Sequence, residues 1–135
     1  MFLIKFTIRA NHFRFKPNSK FHAKFINFTP GTRVLDFGAG GGFPSVPLAV
    51  LIPEVSFHLV DRIGKKLKVA NDVAQNAGLK NVTVQHGDIK EVKGTFDFVV
   101  SRAVMDLNDM VPLVRRLVSK VQSNSLPNGL ICLKG

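Results

Sequence analysis

A single cysteine, Cys132, occurs in the chain. No disulfide framework and no cysteine metal cluster can form, and a reducing cytoplasm is the compartment that fits. The four histidines (His12, His22, His58, His86) are scattered without metal-ligand spacing, so no metal centre is expected. Long apolar runs are missing as well. The longest, Val46 to Ile52, is interrupted by Pro47 and falls far short of the roughly 20 residues of a membrane-spanning helix. The opening Met1-Phe2-Leu3-Ile4 is broken by Lys5 and Arg9, so no secretory leader is expected there. Acid is scarce: nine Asp and Glu face nineteen Lys and Arg, and the first carboxylate is Asp36. No Ser/His/Asp, Cys/His or paired-carboxylate constellation stands out, and there are no internal repeats or low-complexity segments.

What is present suits one folded unit. At 135 residues, 45% hydrophobic and 21% charged, the chain has room for one domain and one core. A net charge of +10 and a pI near 10.3 attract polyanions, nucleic acid first among them in the cytoplasm; a solvated basic surface explains the same balance. Residues 1–35 hold seven basic side chains (Lys5, Arg9, Arg14, Lys16, Lys20, Lys24, Arg33) and seven of the twelve phenylalanines. Phe13 and Phe15 alternate with Arg14 and Lys16 like a strand, and Pro17-Asn18-Ser19 reads as a turn, but no single period governs the segment. Basic and aromatic residues so interleaved can grip phosphates and stack bases, or the rings can simply pack on the core, the reading we favour. Residues 1–30 thus form a basic, Phe-rich N-terminal segment ahead of a core at 31–135.

From Gly31 the patterns alternate. Strands are expected at 33–37, 55–60, 82–85, 96–100 and 130–134, and helices at 44–51, 65–77 and 110–118. Pro44 suits a first helical turn. Leu67, Ala70, Val73, Ala74 and Ala77 share a face of the second helix, which Gly78 closes. Such alternation means crossovers, a parallel sheet and helices on both faces: an α/β, Rossmann-like fold.

The strongest chemical signal runs Val34-Leu35-Asp36-Phe37-Gly38-Ala39-Gly40-Gly41-Gly42-Phe43-Pro44. A glycine-rich turn between a strand and a helix lets a ligand approach the backbone and aims free amides at its negative group. A dinucleotide loop wants glycine where Phe43 stands. The Asp-x-Gly-x-Gly-x-Gly form is that of nucleoside-dependent methyltransferases. Asp61, 23 residues after Gly38 and at the end of the second strand, can accept both hydroxyls of a ribose, or can cap the next helix. Asp88, in Gly87-Asp88-Ile89, can help read an adenine edge, or can be a turn residue. The glycines Gly38, Gly40 and Gly42 can equally be ordinary turn glycines.

These residues, together with Gly64-Lys65-Lys66, Asn81-Val82, Phe96 to Val104 and Leu133-Lys134-Gly135, resemble the RsmG/GidB family. The likeness runs from near Phe21 to the last residue. Its most specific parts are Gly-Gly-Phe-Pro at 41–44, Gly-Lys-Lys at 64–66 and Ser-Arg-Ala-Val at 101–104. The resemblance implies a class I S-adenosylmethionine-dependent methyltransferase acting on N7 of a guanine in small-subunit (16S) ribosomal RNA. S-adenosyl-L-methionine would be the cofactor, and ribosomal RNA or the small ribosomal subunit the partner. Carried over by position, cofactor contacts fall on Gly38, Phe43, Ile89, Lys90 and Arg102, and Asp61 matches the acid expected at the ribose; the loop and strand-end readings add Gly40 and Asp88 to the expected cofactor site. Arg102 can hold the cofactor carboxylate or an RNA phosphate, or be an ordinary surface arginine. Lys65, Lys66 and Lys68, cations at a helix start, hint at phosphate or form a solvated face.

Guanine N7 already carries an in-plane lone pair and no proton, so attack on a sulfonium methyl needs no general base. No catalytic residue is therefore named, and alignment is the main task. Ser45 departs from a glycine usual after Phe-Pro, and Lys90 from a glutamate. Relatives continue past Lys134 through a helix and two antiparallel strands, and residues 1–20 do not match their helical N-terminal segment. The resemblance thus implies a shortened version of the enzyme, with 130–134 as an open sheet edge and weak stability or activity. Three competing readings are a non-catalytic RNA-binding fragment, a methyltransferase with another acceptor, and a nicotinamide oxidoreductase.

Overall fold

Strand and helix alternate as the apolar patterns dictate. The structure, a computed structural model, describes residues 2–7, 28–42, 44–102 and 105–134, with backbone alone at 2–7, 133 and 134. Its strands are β1 (Phe2–Thr7), β2 (Arg33–Phe37), β3 (Ser56–Asp61), β4 (Val82–His86), β5 (Phe98–Ser101) and β6 (Gly129–Lys134). The helices are α1 (Ser45–Leu51), α2 (Gly64–Asn76) and α3 (Leu107–Arg115), and a 3-10 turn spans Ile89–Glu91. The strands form one sheet in the order β1-β6-β5-β2-β3-β4, and every pairing is parallel. From β2 the chain steps outward through β3 to β4; from β5 it steps the other way to β6. The reversal lies between β2 and β5, the switch point at which open α/β sheets leave a crevice beyond the strands' carboxyl ends.

Strand period two sends alternate side chains to opposite faces, and both faces are buried at the centre. On one face Val34, Phe57, Leu59, Phe98, Val100 and Ile131 pack against Val46 and Ala49 of α1 and Leu67 and Ala70 of α2. On the other, Leu35, Phe37, Val60, Val99, Leu130 and Cys132 meet Met110 and Val114 of α3, with Ile89, Val92, Phe96 and Leu117. Helix α1, at seven residues, is too short to stand alone and depends on this packing.

The expected elements all occur, with shifted ends. Pro44 precedes α1 as its N-cap, so the helix opens at Ser45. In α2 the buried stripe is Leu67, Ala70 and Ala74, narrower than expected: Val73 and Ala77 are exposed. Gly78 follows at φ +70°, as expected of a helix stop. Helix α3 begins three residues before Met110, because Asp106 caps it by accepting from the Asn108 amide at 2.8 Å. It ends at Arg115, where 118 was expected. Phe96 lies just ahead of β5 and makes a single bridge to Val118.

The largest difference is at one sheet margin. Residues 130–134 were expected to be an open edge, but β1 pairs along the whole of β6, Phe2 opposite Gly129 and Thr7 opposite Lys134. The 2–7 run had no clean period in the sequence. The alternation at 13–16 and the turn at 17–19 lie outside the described residues. Among the described residues no helix is long and apolar enough to cross a membrane. Among them, too, no group of three or more His, Cys, Asp or Glu side chains is placed to hold a metal ion.

Candidate functional site

Strand β2 delivers the chain to the switch point, and the glycine loop turns there. The amides of Gly38 and Ala39 both donate to Val60 O, at 2.9 and 3.2 Å, so the loop is fastened to the end of β3. Gly42 has φ +92°, and a Cβ there would lie 2.7 Å from Val46 Cγ2 and 2.9 Å from Ala70 Cβ. Glycine is therefore required where the loop presses on α1 and α2. Close helix packing, which a dinucleotide loop assigns to a later glycine, falls here to Gly42. Gly41 has open space around the same construction, so the outer side of the loop is accessible.

Asp61 ends β3 beside this loop. Its Oδ2 accepts from the Gly40 amide at 2.7 Å and its Oδ1 from the Ile63 amide at 2.9 Å. Ile63 is the N-cap residue of α2, so the carboxylate braces the turn into that helix without capping its first-turn amides. A carboxylate offers about four acceptor positions. Two remain on Asp61, which is half-buried at the crevice rim.

Beneath the loop lies a feature the sequence did not disclose. Asp36 is fully buried, and Ser45, at the start of α1, donates its hydroxyl to Asp36 Oδ2. Burial pushes the Asp36 carboxyl up to about 7; the Ser45 hydroxyl and the Arg102 guanidinium pull against that, and the Asp61 charge adds to it. In sequence Ser45 reads only as a departure from glycine; in the fold its hydroxyl is a partner for a buried acid. Arg102, exposed just after β5, brings Nη2 to 3.7 Å from where a Gly40 Cβ would stand. The buried Ser101 hydroxyl, at the end of β5, has no hydrogen-bond partner among the described residues.

The third cluster ends β4. Asp88 caps the 3-10 turn, its Oδ1 accepting from the Lys90 amide at 2.9 Å, and its Oδ2 pairs with Arg62. Those contacts, the Lys90 amide foremost, hold its carboxyl below the usual range. Ile89 is buried, and Lys90 projects outward with its amide committed to Asp88. Lys65, Lys66 and Lys68 are exposed on the first turns of α2, and Lys66 Cδ lies 3.9 Å from the Gly40 Cβ position. Phe43, Ala103 and Val104 lie outside the described residues. Gly38, Gly40, Asp61 and Arg102 are thus gathered at one rim, with Asp88, Ile89 and Lys90 at the adjoining strand end.

The family model for GidB, described as rRNA small subunit methyltransferase G, matches residues 20–126. The chain belongs to the GidB family. Relatives carrying the name ribosomal RNA small subunit methyltransferase G are 61% identical in Phocaeicola vulgatus and 59% in Bacteroides thetaiotaomicron, each over 84% of this chain. A third, from Cytophaga hutchinsonii, is 49% identical over the same share. The chain spans about half the length of these relatives, 54%, 55% and 55% respectively. Among solved structures, coclaurine N-methyltransferase is similar with a TM-score of 0.65 at 19% identity, over 74% of this chain and 32% of that one. YcgJ of Bacillus subtilis reaches 0.58 at 28% identity, over 71% and 43%. Magnesium protoporphyrin IX methyltransferase of Synechocystis, solved with bound S-adenosylmethionine, reaches 0.58 at 24%, over 67% and 46%. This GidB-family chain therefore has the fold of class I S-adenosylmethionine-dependent methyltransferases, built on a parallel sheet with helices on both faces.

Proposed function

We propose that the chain is the cofactor-binding core, over residues 31–135, of an S-adenosylmethionine-dependent methyltransferase. It acts in the cytoplasm on N7 of a guanine in small-subunit ribosomal RNA. One observation carries the reading: the Asp61 carboxylate grips the Gly40 amide at 2.7 Å, so the acid for a ribose and the loop for a charged tail form one unit.

The residues present fit a nucleoside of this kind. Asp61 keeps two acceptor positions for ribose hydroxyls, and Gly41 lets a ligand reach the backbone. Arg102 beside Gly40 can clasp a carboxylate in bidentate fashion. Asp88 and Ile89 border the base end at the close of β4, Ile89 anchored in the core beneath it. The sulfonium, when bound, supplies an electrophilic methyl group. The chain's own task is orientation: the loop, tied to β3 through Val60 O and Asp61, holds a ligand against a rigid strand end. No proton need leave N7, so no side chain is required as a base.

The test is methylation in vitro. The purified chain, S-adenosylmethionine and small-subunit RNA or particles are incubated, and the RNA is digested for mass spectrometry. A methylated guanine carrying the N7 mark supports the reading. RNA binding without incorporation overturns it in favour of a non-catalytic RNA-binding fragment.

A further inference from the structure

The opposite rim of the sheet carries a second concave site, unconnected with the glycine loop. A cavity of about 300 Å³ opens at the amino ends of β2, β3 and β4, lined by Arg33, His58, Lys80, Asn81, Lys93 and Phe96 among others. Three cations and a histidine converge there, and among the described residues no carboxylate lines it. Asp97, the acid next to Phe96 in sequence, accepts from the Arg33 amide at 2.8 Å. The cations are spread over separate segments: Arg33 opens β2, Lys80 precedes β4, and Lys93 lies between the 3-10 turn and β5. The fold, rather than a run of basic sequence, brings them together.

The chemistry of the walls narrows the ligand. Arg33 lies over the Phe96 ring, 5.0 Å from its centroid, and His58 stacks with the same ring at 6.0 Å. Phe57 is buried in the core. Both aromatic rings are therefore already engaged, and the cavity offers hydrogen bonds and positive charge more than a stacking surface for a base. His58 is itself positioned, by Thr83 Oγ1 at 2.6 Å and Gln85 Oε1 at 2.9 Å. Such a site suits phosphate, the contact that positions a nucleic acid without reading its sequence.

Its location narrows the source. Helix α3 and the 3-10 turn cover the second sheet face over the inner strands, but β4 has no side chain in that core. On that face Thr83 is exposed, and His58 and Gln85 are half-buried. Strands of five or six residues separate the two rims by roughly 17–20 Å. A chain of linked phosphates can lie along the strands that no described helix covers and reach both ends; a single free nucleotide cannot.

We propose that this cavity is an anchoring site for a backbone phosphate of the RNA whose base is presented at the opposite rim. The inference rests on the reading of the chain as an RNA methyltransferase. Its test reads binding, not methyl transfer, so the two fail separately. Lys80 and Lys93 are exposed, so K80Q and K93Q leave the core intact, and thermal unfolding checks this. RNA affinity is measured from 50 to 300 mM salt for the whole chain, each variant and the charge-preserving K93R. The expected result is weaker binding to all RNA sequences, with the log–log salt slope reduced by about one for each phosphate no longer neutralised. K93R should retain the wild-type slope, and S-adenosylmethionine affinity by calorimetry should not change. Unchanged RNA affinity and slope in both glutamine variants would overturn the proposal. So would tight binding of adenosine monophosphate or inorganic phosphate that K93Q abolishes while RNA binding persists, because the site would then serve a free phosphate ligand. A wild-type chain that binds RNA but transfers no methyl leaves the anchoring test standing and refutes the activity alone.

Discussion

Asp36→Asn should remove a pH dependence that the buried pair imposes on folding. In the folded chain the Asp36 carboxyl titrates near 7, against 3.8 for an ordinary aspartate, because burial penalises its charged form. The folded state therefore holds this proton more tightly than the unfolded state. The resulting stability is fully present below pH 3.8, declines through the window between 3.8 and 7, and is gone above it. The shift corresponds to about 4 kcal/mol across that window, of which about 2.5 kcal/mol falls between pH 5 and pH 8. Asparagine keeps the shape and can accept the Ser45 hydroxyl, but does not titrate. Urea unfolding at pH 5, 6, 7 and 8, followed by circular dichroism, gives both curves. The difference, wild type minus Asp36→Asn, should fall with pH most steeply near pH 5–6 and flatten by pH 8. Parallel curves would refute the account, since the histidines and every other titrating group are common to both proteins.

Further expectations follow from single interactions. Gly42→Ala places a Cβ within 3 Å of both Val46 and Ala70 at a left-handed φ, and should cost about 2–4 kcal/mol, read as a lowered thermal midpoint. Asp61→Ala leaves the Gly40 and Ile63 amides without their acceptor; it should destabilise by about 1–3 kcal/mol and remove S-adenosylmethionine binding in calorimetry, and a wild-type dissociation constant would exclude Asp61 from the site. Asp106→Ala removes the cap of α3 and should cost about 1 kcal/mol in chemical unfolding, with cofactor affinity unchanged.

Where a signal was local, the sequence announced it. The β2 run, the glycine turn, the alternating crossovers and Asp61 could all be read from spacing, because each depends on neighbours a few residues away or on strand ends. Periodicity alone starts α3 at Met110, although an aspartate before a helical run is itself a legible start signal, and Asp106 supplies it. The Ser45–Asp36 bond was hidden for another reason: a buried acid and a hydroxyl nine residues apart mean nothing until a strand and a helix fold face to face. The pairing of β1 with β6 joins residues more than a hundred positions apart, beyond any window of pattern. The basic cavity is of the same kind, since Arg33, Lys80 and Lys93 share no periodicity.

The side-chain amide of Asn81 donates to Ala49 O, Ile52 O and Val55 O at 3.1, 3.4 and 2.9 Å. It thereby ties the tail of α1 and the turn into β3 to the foot of β4, while Ser45 ties the head of the same helix to Asp36. Seven residues of helix, about 10 Å long, are thus pinned top and bottom like a strut between the two rims. Substituting Asn81, whose described hydrogen bonds all go to the tail of α1 and the turn after it, loosens the lower pin, so the slack arrives at Gly42 and the loop above it.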